Sequence, residues 1–548
     1  MSGGSRVNVS HLLESVKALG VLRARGVSDP KTPLETLRTM KESKIYGPQA
    51  TLVRHSARIA PDQVALVDER GELTYRELDQ QSTAIARGLR EKGIGEGTVI
   101  AVLARDHRGL IMSMIAAGKL GARIALMNTG FAKPQFAEVC ERENVRAVLH
   151  DSEFLGLLDA LPDDLPRYLT WVDEGTELPS GATTFDDLIA GNSTDDLPPP
   201  SKPGGFIILT SGTTGLPKGA PRTKVTPMAT AQFVDRIPFP RRGTAMIVSP
   251  IFHSTGLGTW LVNTILSNKI VMRRRFDAEA TLAAIAEHKV EMLVCVPTML
   301  HRMTELPPEV HAKYDLSSLK VILFAGSALT PELCIRATEV FGPVLYNLYG
   351  STEVAIATIA NPAELAEAPG TVGRSPITCE VRLYDDQDQP VRTPGTRARI
   401  FVRSGAPFEG YTDGRHKQII DGFMSSGDMG HFTDSGLLMV DGRDDDMIVS
   451  GGENVYPQEV ENLLVERPEI FDVAVVGVDD PEFGKRLRAF VVLEEGHTVE
   501  AAELQAHVKA NLARFKVPRE VVFLDELPRN ATGKIVRRTL IDYEVSQG

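Results

Sequence analysis

The sequence predicts an α/β protein, with a large N-terminal domain of mostly parallel sheets flanked by helices and a small C-terminal α+β domain. Three observations predict it. The chain has 548 residues, more than a single hydrophobic core accommodates. From about residue 50 to about residue 440, short apolar runs alternate with helical stretches, the pattern of parallel strands whose crossover helices cover both sheet faces. The run Asp441-Gly442-Arg443-Asp444-Asp445-Asp446 then breaks the pattern with charge, and a compact unit of about a hundred residues follows, an ordinary domain size. The expected boundaries are an N-terminal helical extension over 1–48, a large domain over 49–442 and a small domain over 443–548.

The extension comes first. Val9, Leu12, Leu13, Val16, Leu19, Val21 and Leu22 recur at roughly helical spacing, with Lys17, Arg23 and Arg25 among them. Such a helix either packs on the main domain or leans on a membrane or a partner. Residues 71–79 read as a strand end turning into a helix that continues over 80–91. The runs 99–103, 123–128 and 145–149 are strands, and 110–120 is an apolar helix closed by Gly121. The proline-rich stretch 197–203 is a linker. Further strands are expected at 206–209, 245–248, 270–272, 292–296, 320–324 and 344–347. In the small domain the expected order is helix 457–465, strand 473–476, strand 488–493, helix 499–512 and strand 520–523.

Composition narrows the function. A 42% hydrophobic share supplies a sizeable core. The net charge of −12 argues against a nucleic-acid binder, although local charge still governs small anionic ligands. Cys140, Cys295, Cys334 and Cys379 are scattered without a Cys-x-x-Cys pair, which argues against a disulfide framework or a zinc site and fits a reducing cytosol. Cys295 and Cys334 sit in apolar runs and are expected to be buried. No apolar run is long enough to span a bilayer, and the first residues lack a signal-peptide pattern. The expected location is cytoplasmic, with membrane association through the extension as a variant of it.

The most informative stretch is Thr210-Ser211-Gly212-Thr213-Thr214-Gly215-Leu216-Pro217-Lys218-Gly219, directly after the strand at 206–209. Its glycines let backbone N–H groups approach an anion, its hydroxyls add donors and Lys218 adds a positive charge, which together suit a triphosphate. It is not a Walker A loop, because Pro217 stands at the second glycine position. Five further stations follow in order. The first is Ser249-Pro250-Ile251-Phe252-His253-Ser254-Thr255-Gly256-Leu257, an aromatic–histidine pair after a strand. The second is Gly326, Ser327 and Ala328, small residues that would let a flat base lie against the backbone and that equally suit a plain turn. The third is Tyr349-Gly350-Ser351-Thr352-Glu353: a ring to stack on a base, a hydroxyl for phosphate, and a carboxylate suited to Mg²⁺. The same letters equally suit a helix start. The fourth is Ser426-Gly427-Asp428 with Arg443, where a carboxylate could accept from a ribose diol. The fifth is Leu527-Pro528-Arg529-Asn530-Ala531-Thr532-Gly533-Lys534, a lysine in a tight turn that alone reads as a solvated charge.

Taken together, over roughly residues 50–540, these motifs resemble the adenylate-forming superfamily of acyl-CoA synthetases, peptide-synthetase adenylation domains and beetle-type luciferases. The resemblance implies stacked sheets in the large domain and a mobile small one. It implies that Thr210, Ser211, Gly212, Thr213, Thr214, Gly215 and Lys218 hold phosphates, and that Gly326, Ser327, Ala328 and Tyr349 border the adenine. Asp428 would hold the ribose hydroxyls with help from Arg443, Thr352 would reach phosphate and Glu353 would hold Mg²⁺. His253 would be a gate beside the acyl site, Lys534 the adenylation lysine and Asp445 the hinge. Gly451 and Gly452 would belong to a loop that faces the coenzyme A tunnel.

The resemblance therefore implies an AMP-forming acyl-CoA synthetase using ATP, Mg²⁺ and coenzyme A. The acid would attack the α-phosphate to give acyl-AMP, and the thiol would then displace AMP. No protein nucleophile is needed, and there is no Gly-x-Ser-x-Gly elbow. Segments 252–257, 324–326 and 349–351 are expected to build an apolar acyl pocket, favouring a medium- or long-chain fatty acid with an aryl acid as the alternative. A ligase loading a separate acyl carrier protein is a second alternative, since the sequence ends shortly after Lys534. A luciferin-dependent oxygenase and a non-catalytic scaffold complete the set; the scaffold would be expected to lack Glu353 or Lys534, and both are present.

Overall fold

The computed structural model describes residues 9–28, 32–210, 218–222, 227–351, 353–405, 416–444, 448–450, 453–480, 484–512, 516–530 and 534–543. Among these, two large sheets form the body. The first runs, edge to edge, Thr183–Thr184, Arg167–Trp171, Val145–Asp151, Val99–Leu103, Arg123–Leu126, Phe206–Thr210, Lys218–Arg222. It is parallel except for the last two strands, an antiparallel pair with Thr210 opposite Lys218. The second runs Ala355–Ala360, Leu345–Ser351, Val321–Ala325, Met292–Cys295, Thr244–Ile247, Lys269–Met272, Val64–Asp68, Gly71–Thr74. Its interior pairs are parallel and its two edge pairs antiparallel.

The two sheets are stacked through shared helices. One buried cluster contains Val102 and Leu126 of the first sheet, Ile247 and Leu323 of the second, and Ile85, Met114 and Trp260 from three helices. Those helices are Tyr75–Glu91, Arg108–Leu120 and Ser254–Ile265. Local chemistry sets their ends. Thr74 and Glu77 form a capping box that starts the first, which is why a strand end reads directly into a helix there. Gly121, at φ 66°, closes the second in the left-handed conformation that glycine tolerates. A fourth, Pro33–Ile59, is broken at Gly47 (φ 73°) and Pro48. Glu35 pairs with Arg58 at 2.6 Å, a contact no straight helix allows, since those residues would stand about 35 Å apart along its axis. The first half therefore folds back on the second.

The strand–helix alternation expected to run to about 440 stops at Ala360. A mainly antiparallel sheet follows, of Cys379–Tyr384, Pro390–Val391, Ala398–Ser404, Ile419–Ile420, Phe423–Phe432 and Leu438–Arg443. The small unit then has the expected order: helix Pro457–Val465, antiparallel strands Ile470–Asp480 and Gly484–Leu493, helix Ala501–Asn511 and strand Glu520–Phe523. Val460, Val475, Leu487, Val491 and Leu504 give it a core of its own.

Topology places the site. In the first sheet the chain leaves Val99–Leu103 for a neighbour on one side and returns to a neighbour on the other; Thr244–Ile247 does the same in the second. At such reversals the loops beyond the strands' C-terminal ends part and leave a crevice. Here the two loops meet. Asp106 Oδ1 accepts the Ile251 N–H at 3.1 Å. The Asp106 loop is itself held by Asp151, which accepts from the Arg105 N–H at 2.8 Å and bonds His107 Nε2 at 2.9 Å.

Candidate active site

The segment beyond Thr244–Ile247 is tightly constrained. Ser249 N–H donates to the Val294 carbonyl at 3.1 Å, and Ile251 N–H to Asp106. A Cβ on Gly256 would stand 2.4 Å from the Pro250 carbonyl oxygen, so only glycine fits. This packing sets the Phe252 and His253 rings 4.3 Å apart at the start of helix Ser254–Ile265. His253 Nε2 is buried and has no hydrogen-bond partner among the described residues. Burial, with a smaller contribution from the charge of Lys534, lowers the His253 pKa to about 3. The ring is therefore neutral near pH 7.

Strand Leu345–Ser351 carries the next group to the same end of the sheet. A Cβ on Gly350 would lie 1.9 Å from the Ala355 carbonyl oxygen, so the two antiparallel strands meet here only over glycine. Ser351 Oγ donates to Glu353 Oε2 at 2.8 Å and accepts the Glu353 N–H at 3.2 Å, which fixes the carboxylate beyond the strand end. The Tyr349 hydroxyl donates to Asp428 Oδ2 at 2.5 Å. Asp428 lies opposite Arg443 across paired strands, with Arg443 Nη1 3.5 Å from Oδ1. Burial raises the pKa of Asp428, while Arg443, Tyr349 and Lys534 oppose the rise. Gly326, Ser327 and Ala328 form an exposed turn beyond strand Val321–Ala325, with Gly326 at φ 97°.

Lys534 comes from the small unit. Its N–H donates to Asn530 Oδ1 at 3.0 Å, and the Asn530 N–H returns to the Lys534 carbonyl at 2.8 Å. On either side of this pair, Arg529 bonds Asp472 and the Arg537 fork bonds buried Glu461, at 2.6 and 3.0 Å. Lys534 keeps access to solvent, yet the surrounding protein crowds water from its ammonium and lowers its pKa. Arg443 lowers it further, while Asp428 and Glu353 act the other way. One lysine thus lies within electrostatic reach of Glu353, Asp428, Arg443 and His253.

Of the residues expected from sequence, Tyr349, Glu353, Asp428, Arg443, Lys534 and His253 come together. Thr210 and Lys218 stand at facing ends of two paired strands, on either side of the stretch expected to hold phosphates. Ser211, Gly212, Thr213, Thr214, Gly215, Thr352, Asp445, Gly451 and Gly452 lie outside the described residues. Phe324, expected near the acyl pocket, is fully buried with Met246 and Leu293 on the other face of its sheet. Strand alternation sends it opposite to Leu323 and Ala325. Asp106 was missed; the signal available for it was a run of charge, Arg105-Asp106-His107, straight after a buried strand. As for the metal, Glu353 offers one hard oxygen ligand, the donor type Mg²⁺ takes when nucleotide phosphates and water complete its shell.

Comparison with known proteins agrees with this geometry. Residues 53–412 match the AMP-binding enzyme family, and residues 459–534 match the AMP-binding enzyme C-terminal domain. The chain is 33% identical over 492 residues to an indoleacetate–CoA ligase of Aromatoleum aromaticum, covering 88% of this chain and 95% of that protein. It is 31% identical over 492 residues to a feruloyl-CoA synthase of Amycolatopsis sp, covering 88% and 96%. Among solved structures, the o-succinylbenzoate CoA synthetase of Bacillus subtilis, in complex with an acyl-adenylate intermediate, superposes with a TM-score of 0.76 at 26% identity, covering 90% of this chain and 98% of that one.

Proposed function

This chain belongs to the AMP-binding enzyme family as an ATP-dependent acyl-CoA ligase, and we propose that the acid it activates is aromatic. The medium- or long-chain fatty acid favoured by the sequence gives way to its aryl alternative. The relatives act, by name, on indoleacetate and ferulate, and the structural neighbour on o-succinylbenzoate. The observation that carries the reaction is the convergence of Lys534 with Glu353, Asp428 and Arg443 beside His253.

On this reading the acid's carboxylate attacks the α-phosphorus of ATP, the bond to the β-phosphate oxygen breaks, and pyrophosphate leaves with that electron pair. Lys534 faces the charge that gathers on the acid and α-phosphate oxygens, and its ammonium stabilises it electrostatically. Asp428 accepts from the ribose hydroxyls. Its position is set by Tyr349 and Arg443. Glu353 would hold Mg²⁺, which would neutralise the phosphate charge. Neutral His253 lines the acyl side without competing for that charge. The thiolate of coenzyme A then attacks the acyl carbon of the adenylate, and AMP leaves.

The test is coenzyme A-dependent AMP formation over a panel of indoleacetate, hydroxycinnamates, benzoates and fatty acids of several lengths, with Lys534→Ala as control. Aryl acids should give AMP and thioester together. The control should lose about a hundredfold to a thousandfold of the adenylation rate, the cost of one electrostatic stabiliser. Faster turnover of fatty acids would return the substrate to the first expectation. Acid-dependent pyrophosphate exchange without thioester would point to a carrier-protein acceptor.

A further inference from the structure

The N-terminal extension presents a surface that the reaction does not use. Helix Val9–Ala24 buries Ala18 and Leu22 against Ala231, Val234 and Val262 of the main body. Its Val16 and Leu19 stay outside, Val16 at 61% exposure. Val16, Leu19 and Arg23 fall at i, i+3 and i+7, so they share one side of the helix. The first half of Pro33–Ile59 repeats the arrangement. Leu34 is 80% exposed, Leu37 and Met40 are exposed beside it, and Lys41 and Lys44 follow Leu34 at i+7 and i+10.

The charge here is the reverse of the charge elsewhere. The chain carries −12 overall, yet Lys17, Arg23, Lys41 and Lys44 are exposed on these two helices. The carboxylates are turned away: Glu35 and Glu42 point inward onto Arg58, and Glu14 is only half-exposed. Among the described side chains of the extension there is no fully exposed carboxylate. Exposed leucines interleaved with lysines, on an acidic protein, are the arrangement of a helix that lies in a membrane interface, apolar side chains at the acyl boundary and ammonium groups among phosphates.

We propose that the extension docks the enzyme on an anionic lipid surface. A second copy of the chain fits less well, because a two-fold contact over this surface would bring two copies of the same basic patch together with no exposed carboxylate among the described side chains of the extension to offset them. No helix among the described residues is long and apolar enough to cross a membrane, so the contact is peripheral. It is independent of the acid that the site accepts.

The experiment is flotation of the full chain with phosphatidylcholine vesicles and with vesicles containing about a quarter phosphatidylglycerol, at about 0.15 M salt, where surface charges still act over nanometre distances. The protein should float with the anionic vesicles and not with the neutral ones, and salt should release it. Leu34→Glu with Leu37→Glu should abolish flotation. Lys41→Glu with Lys44→Glu should weaken partition by about twenty-fivefold or more, each lysine near an anionic surface accounting for about fivefold. Acid-dependent AMP formation retained in both variants shows that they remain folded. The proposal fails if the wild type does not float with anionic vesicles, or if it floats equally with neutral ones. It also fails if both variants float unchanged, or if Leu34→Glu instead dissolves a concentration-dependent dimer, which would assign the face to a second copy.

Discussion

Mild acid should loosen the contact between the small unit and the main body through one histidine. His301, on helix Pro297–Thr304, lies 5.0 Å ring to ring from Phe471 on strand Ile470–Asp480. Its Nδ1 accepts a hydrogen bond from the Arg336 guanidinium at 2.6 Å, so the docked ring is neutral. Burial, then the charges of Arg336, Arg529 and Arg302, lower its pKa from 6.5 to about 4. Arg336 and Arg302 stay beside the ring on undocking, so the part of this lowering that Phe471 and Arg529 supply is what makes the undocked ring take up a proton more readily than the docked one. The histidine's contribution to docking is therefore fully present above pH 6.5 and declines as the pH falls toward 4. At about 1.4 kcal/mol per pH unit the ceiling is about 3 kcal/mol, or somewhat over a hundredfold in the docking equilibrium, and the share set by Phe471 is smaller. Glu332 and Glu494 line the same cleft, and burial raises the pKa of each, so their protonation favours docking and opposes His301. In the docked arrangement both take up protons above 4.5, so they oppose the histidine over part of the same range, and the comparison with a variant lacking only the imidazole isolates its share. The assay is acid-dependent ATP–pyrophosphate exchange, which on the proposed mechanism needs Lys534 docked, followed across that window in the wild type and in His301→Gln. The glutamine oxygen can take the Arg336 bond but cannot titrate. The wild type should lose activity more steeply on acidification, and identical acid limbs would refute the reasoning.

Three substitutions test the rest of the site. Tyr349→Phe removes the 2.5 Å bond to Asp428. A hydrogen bond to a charged group contributes about 1.5–3 kcal/mol, so KM for ATP should rise by about tenfold to a hundredfold in steady-state kinetics with little change in folding. Gly350→Ala forces a Cβ to within 1.9 Å of the Ala355 carbonyl oxygen. The strand pair must part at a cost of about 3 kcal/mol or more, read as a lower denaturation midpoint together with lost pyrophosphate exchange. Asp106→Ala leaves the buried Ile251 N–H without its acceptor, at about 1–3 kcal/mol. Denaturant unfolding should register that loss, KM for the acid should rise as the Phe252–His253 segment loosens, and Asp106→Asn should restore both.

The residues that local order fixes were legible in the sequence. The apolar run before the phosphate loop forms strand Phe206–Thr210, and the Tyr349–Glu353 motif sits at a strand end because the small residues around Gly350 suit a close strand crossing. The rest depends on long-range pairing. Asp106 and Ile251 are 145 positions apart, and nothing local joins them. The antiparallel sheet between Cys379 and Arg443 did leave a signal, the apolar–polar alternation Cys379-Glu380-Val381-Arg382-Leu383, but alternation marks a strand without saying whether its partners run parallel or antiparallel. Gly47-Pro48 is a turn signal that marks the break, and the Glu35–Arg58 contact shows that the chain reverses there. Phe324 was misplaced because period-two alternation says that neighbours face opposite ways, not which face the site occupies.

Lys534 gives the two half-reactions an order, on the roles proposed for it. In the docked arrangement, crowding by protein and the charge of Arg443 disfavour its ammonium, and Asp428 with Glu353 compensates only partly. A bound triphosphate would bring several negative charges to the same place, favour the protonated lysine and so strengthen docking, because a ligand shifts an equilibrium by its differential affinity for the two states. Once pyrophosphate leaves, the acyl-adenylate retains a single phosphate charge, and the crowding around Lys534 is again poorly compensated. Docking should therefore weaken when the first reaction is complete, which frees the cleft at the moment the thiol must reach the acyl carbon. The charge that stabilises the first transition state and the weakening of the closed arrangement then share one cause, and no new contact is needed to open the site.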